Sequence, residues 1–432
     1  MKHPLQVMME QRRAGIRCGI PSYCTANELA LEIALRRAKM LNKPVLIEAT
    51  ANQVNQFGGY TGMMPKDFYQ MVLKMAEAID LPESMIILAG DHLGPLTWQN
   101  LPEAEAMENS KVLVSAFTKA GFTKIHLDTS MRVADDDQNA ALDVRVCARR
   151  GAILANCVAA AYEEVKAANP DAVKPVLVIG SEVPIPGGSQ EHEDSITPTA
   201  PAEFRRQYQV FREEFEKAGA PFEDVVAFVV QPGVEFGDDF AFQYNRENAA
   251  DLCAAVKDYA PLVFEGHSTD YQTTCSLSRM VEDGIRILKV GPALTFGLRE
   301  ALFLLEECEA IMVPEADRSG VKAAILAEMD ADPKYWKKYY QGTEAEIAYK
   351  KLYSYSDRCR YYLPAQSITA AIDKLLANTA HVPQALICQY FPRQYEKVIG
   401  GEIGDSGEAL LLDRVGDWYD VYATACGIDL GR

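Results

Sequence analysis

Histidine is the scarcest ionisable side chain in this sequence, with six in 432 residues, and positive charge is short as well. Asp and Glu number 61 against 43 Lys and Arg, a net charge of −18. That deficit argues against nucleic acid and against anionic membrane surfaces as partners. No apolar run approaches the roughly 20 residues that span a bilayer. The opening "MKHPLQVMMEQRRAG" has no apolar core of the kind a secretory leader carries, so a cytoplasmic location is expected. The ten cysteines are scattered, with no C-x-x-C pair and no zinc-ribbon spacing. They read as reduced, mostly buried thiols rather than a disulfide framework. There is no G-x-x-x-x-G-K-[ST] loop, and no Gly-rich fingerprint with its acidic partner follows an apolar run, so no nucleotide cofactor is expected.

What is present is a repeating pattern over roughly the first 300 residues. Short Val/Ile-rich runs occur at 17–24, 44–50, 85–92, 123–128, 175–182, 225–232, 261–268 and 286–293. Continuous apolar runs are what strands covered on both faces look like. Between them lie stretches with helical spacing, such as "ELALEIALRRAKML" and "DFYQMVLKMAEAI". Eight strand-then-helix units predict an α/β fold, a (β/α)8 barrel with its site at the C-terminal ends of the strands. The alternative, an open doubly wound sheet, would gather its ligand at one crevice instead of spreading polar groups over every strand end.

The barrel is expected over residues 1–310, with insertions near 133–143 and 183–201. The second, "VPIPGGSQEHEDSITPTAP", is rich in Pro, Gly and acid and reads as a long mobile loop on the active face, either a lid or a plain surface insertion. Residues 311–432 change texture, with dense Tyr and basic residues, and read as a helical extension packed on the barrel. Their aromatics suggest core packing or a subunit interface, and hence an oligomer.

The strand ends carry the chemistry. They are Glu48; Asp91 and His92; His126 and Asp128; Glu182; Gln231; Glu265 and His267; and Lys289. Three of the six histidines fall there. Lys124, His126 and Asp128 sit at i, i+2 and i+4, which places them on one face of their strand. Solvated turns explain any one charged strand end; acids or imidazoles at most of eight point to a shared concave site. Imidazole and carboxylate with an open position suit Zn²⁺, Mn²⁺ or a related divalent ion. Such an ion stabilises charge on an oxygen when an adjacent bond breaks, and nearby carboxylates serve as base and acid. The last strand leads into "GPALTFGLREAL", where Gly291 and Thr295 meet a helix N-terminus, the usual phosphate cradle of such barrels. Ser268, Thr269 and Asp270, in "GHSTDY", would join it. Ordinary capping is the competing reading of both segments.

The motifs "IEATANQVNQFGGYTGM", "GDHLGP", "KIHLD", "SEVPIPGG", "VVQPGVEF", "EGHSTDYQ", "LKVGPALTF" and "YSYSDRCRYYLP" resemble, over nearly the whole chain, the Z-subunit family of bacterial class II D-tagatose-1,6-bisphosphate aldolases. That family was once labelled tagatose-6-phosphate kinase. The resemblance implies a barrel working in galactitol or N-acetylgalactosamine catabolism and a class II aldolase catalytic subunit as partner, which it stabilises and activates. Asp91-His92 also matches the Asp-His pair of the class II aldolase catalytic subunits, where Asp moves a proton and His binds metal. Of their two further metal histidines, the one on the sixth strand is missing, since "VVQPGVEF" has none. On the seventh, Glu265 stands near the expected position and His267 two residues on.

Two expectations follow. In one, the chain is a non-catalytic accessory subunit with relic strand ends. In the other, which the density of charge favours, it is a metal-dependent ketohexose or ketohexose-6-phosphate 4-epimerase. There His92, Glu182, Glu265 and His267 hold the metal and Asp91, Asp128, Glu182 and Lys289 are catalytic. Glu48, His126, Gln231, Ser268, Thr269, Asp270, Gly291 and Thr295 contact the sugar.

Overall fold

The computed structural model describes residues 2–13, 16, 18–180, 196–428 and 430. Eight parallel strands close into a barrel: β1 (Ile20–Cys24), β2 (Val45–Thr50), β3 (Ile86–Leu93), β4 (Lys124–Leu127), β5 (Val176–Ile179), β6 (Val225–Val230), β7 (Val263–Gly266) and β8 (Ile285–Val290). Each pairs with its sequence neighbours, and β8 closes on β1. Each strand overlaps the apolar run that predicted it. The runs are continuous because lumen and helices cover both faces; β2 and β6 are buried at every residue.

Within a strand, alternate residues share a face. The lumen face therefore climbs from apolar to charged: Leu46 to Glu48 on β2, Ala89 to Asp91 on β3, Val263 to Glu265 on β7, and Ile287 to Lys289 on β8. The apolar lower layer is sealed from below by the N-terminal helix, Pro4–Arg13. Its Leu5, Met8 and Met9 are buried in one cluster with Leu46, Val176, Val263 and Ile287. His3 belongs to this floor, its Nε2 3.2 Å from Thr123 Oγ1, and burial pushes it down to about 4.

The insertion at 133–143 is pinned. Arg150, wholly buried on the helix Val144–Ala168, donates to both carboxylate oxygens of Asp136 at 2.9 and 2.8 Å, and to Glu103 at 2.7 Å. Of the second insertion, residues 183–195 lie outside the described residues, and 196–200 lead into the helix Pro201–Ala218.

The described residues from 311 on form mainly helices around the barrel. The last of them, Gly407–Ala425, is part of the barrel wall: Tyr419 donates to Ala30 O and Tyr422 to Thr269 O, each at 2.6 Å. A Cβ built at Gly297 would stand 2.4 Å from the Trp418 ring, so only glycine allows the two helices this close. One hydrophobic core runs through both regions. No described helix is long and apolar enough to cross a membrane.

Candidate active site

Above the apolar layer the lumen is a network of ions. Lys124 Nζ contacts Glu48 and lies 2.8 Å from Glu265 Oε2, while Lys289 Nζ contacts both Glu48 and Asp91. Every one of these groups is buried. Removing charges from water costs several kcal/mol each, and only close pairing offsets it. Burial pushes Glu48 and Glu265 up, but Lys124 together with Lys289, and for Glu265 also His267, outweighs it, so both are held below the ordinary carboxylate value. Burial likewise opposes charge on Lys124 and Lys289, and the facing carboxylates hold both above the ordinary lysine value.

Three imidazoles sit over this layer at the corners of a triangle. Ring centroids are 5.2 Å apart for His92–His126, 5.2 Å for His92–His267 and 5.1 Å for His126–His267. His126 Nδ1 bonds Asp91 Oδ1 at 2.7 Å, and His267 Nε2 bonds Glu265 Oε1 at 3.0 Å. His92 behaves differently. The pairing of β3 with β4 shifts register between Gly90 and Leu93, and His92 has φ 49°, a left-handed backbone a non-glycine residue rarely adopts. Its Nδ1 consequently meets Asp128 Oδ2 at 2.8 Å, with Nε2 3.4 Å from Asp91.

The neighbours split the histidines. Burial opposes charge on His92, but Asp91 and then Asp128 push it above the usual imidazole value. His267 is pushed down to about 3, by burial and then by Lys289, and is neutral at physiological pH. Burial would raise Asp91, yet His92, Lys289 and His126 hold it well below the carboxylate range; His92 does the same for Asp128. Groups whose environments drive their proton affinities apart are what acid/base chemistry at one pH requires.

Four carboxylates (Glu48, Asp91, Asp128, Glu265) face two ammonium groups, so even a protonated His92 leaves the lumen short of positive charge. Asp91, His126, Glu265 and His267 each offer one donor atom, all within 4.8 Å of one another. The buried Nε2 of His126 has no hydrogen-bond partner. This mixed nitrogen and oxygen set fits a divalent cation such as Zn²⁺ or Mn²⁺. A second grouping, Cys24, Glu48 and Asp91, fits less well, because Lys289 already bridges its two carboxylates and burial pushes the Cys24 thiol up. The geometry thus gathers His126 with Glu265 and His267, where the sequence pointed to His92; Glu182 lies outside the described residues.

A cavity of about 490 Å³, within the range of small-molecule sites, opens over Asp91, His92, His267 and Lys289. Ser268, Asp270, Gly291 and Thr295 line it too. The cradle expected at the start of the helix Pro292–Met312 is filled from within. Asp270 Oδ1 accepts from the backbone N–H of Gly291 at 3.0 Å and of Ala293 at 2.8 Å. Thr295 Oγ1 donates to Asp357 at 2.7 Å, and Thr269 Oγ1 donates to Lys289 O at 2.6 Å, behind the cavity wall. Gln231 spends its side-chain oxygen on the amides of Gly233 and Val234 and does not reach the cluster. A larger groove, about 800 Å³, runs past Ser130 and Arg206 and holds none of the clustered acids or imidazoles.

Sequence reasoning missed the other rim. Lys338, Tyr339, Arg358, Arg360 and Tyr361 line the same cavity from the C-terminal region. The signal was the doublet Arg358-Cys359-Arg360 in an acid-rich chain, which the surrounding tyrosines disguised as packing.

A family model described as D-tagatose-1,6-bisphosphate aldolase subunit GatZ/KbaZ-like matches residues 5–427. The chain is 42% identical to a probable tagatose 6 phosphate kinase from Sinorhizobium meliloti 1021, with a TM-score of 0.85 over 94% of this chain and 100% of that one. Fainter likenesses are to the YdjI aldolase from Escherichia coli K12 (12% identity, TM-score 0.42, 84% of this chain and 96% of that) and a fructose-bisphosphate aldolase from Campylobacter jejuni (13%, 0.45, 90% and 93%).

Proposed function

The chain belongs to the GatZ/KbaZ-like family of D-tagatose-1,6-bisphosphate aldolase subunits, and on that premise we propose that it is a metal-dependent 4-epimerase of ketohexoses or their 6-phosphates. The observation that carries this reading is the buried cluster of Asp91, His126, Glu265 and His267 beneath an open cavity. Relic side chains would be expected to drift toward small or apolar residues, since unused buried charge costs free energy.

Fructose and tagatose differ only at C4. Taking the proton from the C4 hydroxyl lets the C3–C4 bond break, its electron pair passing to the C1–C3 fragment while C4 becomes an aldehyde. Rotation of the aldehyde, re-addition through its other face and return of the proton invert C4 with no net change in atoms. Asp91, ionised and lining the cavity, takes the proton. On re-addition His92, whose proton affinity Asp91 and Asp128 raise, supplies a proton to the C4 oxygen, and the proton held by Asp91 passes to His92 Nε2, 3.4 Å away, which restores both groups. Lys289, at the cavity wall, balances negative charge as it develops. His126, Glu265 and His267 would hold the divalent cation, which supplies Lewis-acid stabilisation of charge on the substrate oxygens.

The test is direct. Purified protein supplied with Zn²⁺ or Mn²⁺ is incubated with fructose 6-phosphate, tagatose 6-phosphate and both free ketoses, and C4 is followed by ¹³C NMR. Interconversion is expected; no change in any of the four sinks the reading. The family's description as a subunit favours a second one, in which the chain supports a class II aldolase catalytic subunit. It predicts that adding this chain raises the activity or half-life of such a subunit.

A further inference from the structure

The cavity has two unlike ends. One is the ionic lumen; the other is a pair of guanidiniums, Arg358 and Arg360. Among the described residues, neither Arg358 nor Arg360 forms an ion pair with a carboxylate. In a chain of net charge −18 their charge is left for an anion to meet. The carboxylate just before them in sequence, Asp357, has a left-handed backbone (φ 45°) and is committed to Arg299 Nε and Thr295 Oγ1, each at 2.7 Å.

Arg358 is 5% exposed, and its Nε is a buried donor with no hydrogen-bond partner. Its Cζ lies 3.0 Å from the Tyr339 ring centroid, and Nη1 donates to Tyr335 O at 2.9 Å, so the guanidinium plane is held in place before any ligand arrives. Arg360 is fixed by the carbonyl of Asp357 at 3.0 Å and the hydroxyl of Tyr361 at 3.0 Å. Burial, and after it the like charge of Arg360, lowers the proton affinity of Arg358, a repulsion that a shared anion would relieve. Arg360 Nη1 is spent on the carbonyls of Ser356 and Asp357, but Arg358 Nε has no partner, and the N–H groups that remain on the two guanidiniums suit a phosphate, whose oxygens accept paired N–H bonds.

We propose that Arg358 and Arg360 bind the single phosphate of a ketohexose monophosphate whose sugar end lies over the lumen cluster. This rests on the reading of the cavity as a ketohexose site and narrows it to phosphorylated substrates. A bisphosphate gains nothing, because the other anion site, the N-terminus of the helix Pro292–Met312, is filled by the carboxylate of Asp270.

Isothermal titration of the full chain with fructose 6-phosphate, fructose 1,6-bisphosphate, fructose and inorganic phosphate tests it. Fructose 6-phosphate should bind at least tenfold tighter than fructose and no more weakly than the bisphosphate, and inorganic phosphate should compete with it. Arg358→Met and Arg360→Met should each weaken fructose 6-phosphate at least tenfold and leave fructose within twofold. Arg358→Lys, which keeps the charge and loses the fork, serves if the Met variant does not melt cooperatively; it should weaken fructose 6-phosphate at least threefold. The competition by phosphate depends on no variant. Equal affinity for fructose and its 6-phosphate, absence of phosphate competition, a preference for a hexuronate such as fructuronate, or unchanged affinity in well-folded variants overturns the proposal. Because the readout is binding, Arg-dependent phosphate affinity without turnover strikes the epimerase reading and leaves this one standing. Turnover of fructose 6-phosphate that ignores both substitutions does the reverse.

Discussion

Asp270 accepts the backbone N–H of Gly291 at 3.0 Å, so the helix beginning at Pro292 carries its own anion. Burial raises this carboxyl to about 6, against the backbone N–H bonds of Ala293 and Gly291 that favour its charge. With the folded value above the unfolded one, the folded state holds the extra proton between roughly pH 4 and 6. The contribution of Asp270 to stability is therefore greatest below that window and falls as pH rises through it. Urea unfolding of the wild type and Asp270→Asn at pH 4 and pH 7 checks this. The wild type should lose ground relative to the variant on going to pH 7; a constant difference would show that Asp270 titrates as in the unfolded chain.

Lys124 is the keystone of the lumen ions, touching Glu48 and Glu265 together. Lys124→Met leaves Glu265 without its ammonium partner and Glu48 with Lys289 alone. Breaking a buried pair in this way costs about 3–5 kcal/mol. Denaturant titration should show a loss of that order. A loss below about 1 kcal/mol would mean that the network contributes little to stability.

Metal affinity should follow the donor atoms that the lumen gathers. His126→Ala and His267→Ala are each expected to weaken Zn²⁺ or Mn²⁺ binding at least tenfold by competition with a chelating dye. His381→Ala, whose ring lies exposed beside Asp405, should change nothing. If His92→Ala alone abolishes binding, the cluster has been assigned to the wrong imidazole.

The charge on His92 depends on Asp128, which accepts from its Nδ1. Asp128→Asn removes one of the two carboxylates that raise the imidazole, so His92 should release its proton at lower pH in the variant, as followed by ¹⁵N NMR of labelled imidazole. In stability terms the wild-type pairing is fully present below the unfolded histidine value near 6.5 and is lost as pH rises through the higher folded value. A titration unmoved by the substitution would contradict the pairing.

Arg150 ties Asp136 and Glu103 together from inside the protein. Arg150→Ala strips the 133–143 segment of its anchor and leaves two carboxylates facing a hole. Limited proteolysis should cut that segment at least several-fold faster in the variant, with a cooperative melt retained. Equal cleavage rates would mean that the segment is held by its backbone bonds alone.

How much of this was legible beforehand follows from the range of each signal. Strands announce themselves locally: "PVLIEAT" and "VVAFVV" are apolar because both their faces are covered, and each can be read without knowing any other. Lys124 and His126 share a face by simple alternation. Alternation failed at Asp91-His92, because a register shift and a positive φ turn His92 toward Asp128, and neither has a sequence signature at a non-glycine residue. The cradle failed for a different reason. Its filling by Asp270, 21 residues before Gly291, is a tertiary event that leaves the capping pattern unchanged. Arg358 and Arg360 come from beyond the barrel altogether, where tyrosine stacking, such as Tyr335 on Tyr361 at 4.7 Å, hides their purpose.

The N-terminal helix beneath the lumen bears on traffic. Among the described residues, Leu5, Met8 and Met9 stopper the lower end, so whatever enters the cavity does so from the strand-end side and leaves by it. A sugar split at C3–C4 would leave its two halves in a cul-de-sac, the outer one blocking the inner. In the proposed reaction such confinement would favour re-addition of the fragments over their escape. An aldolase needs its pieces to leave; an epimerase needs them to stay.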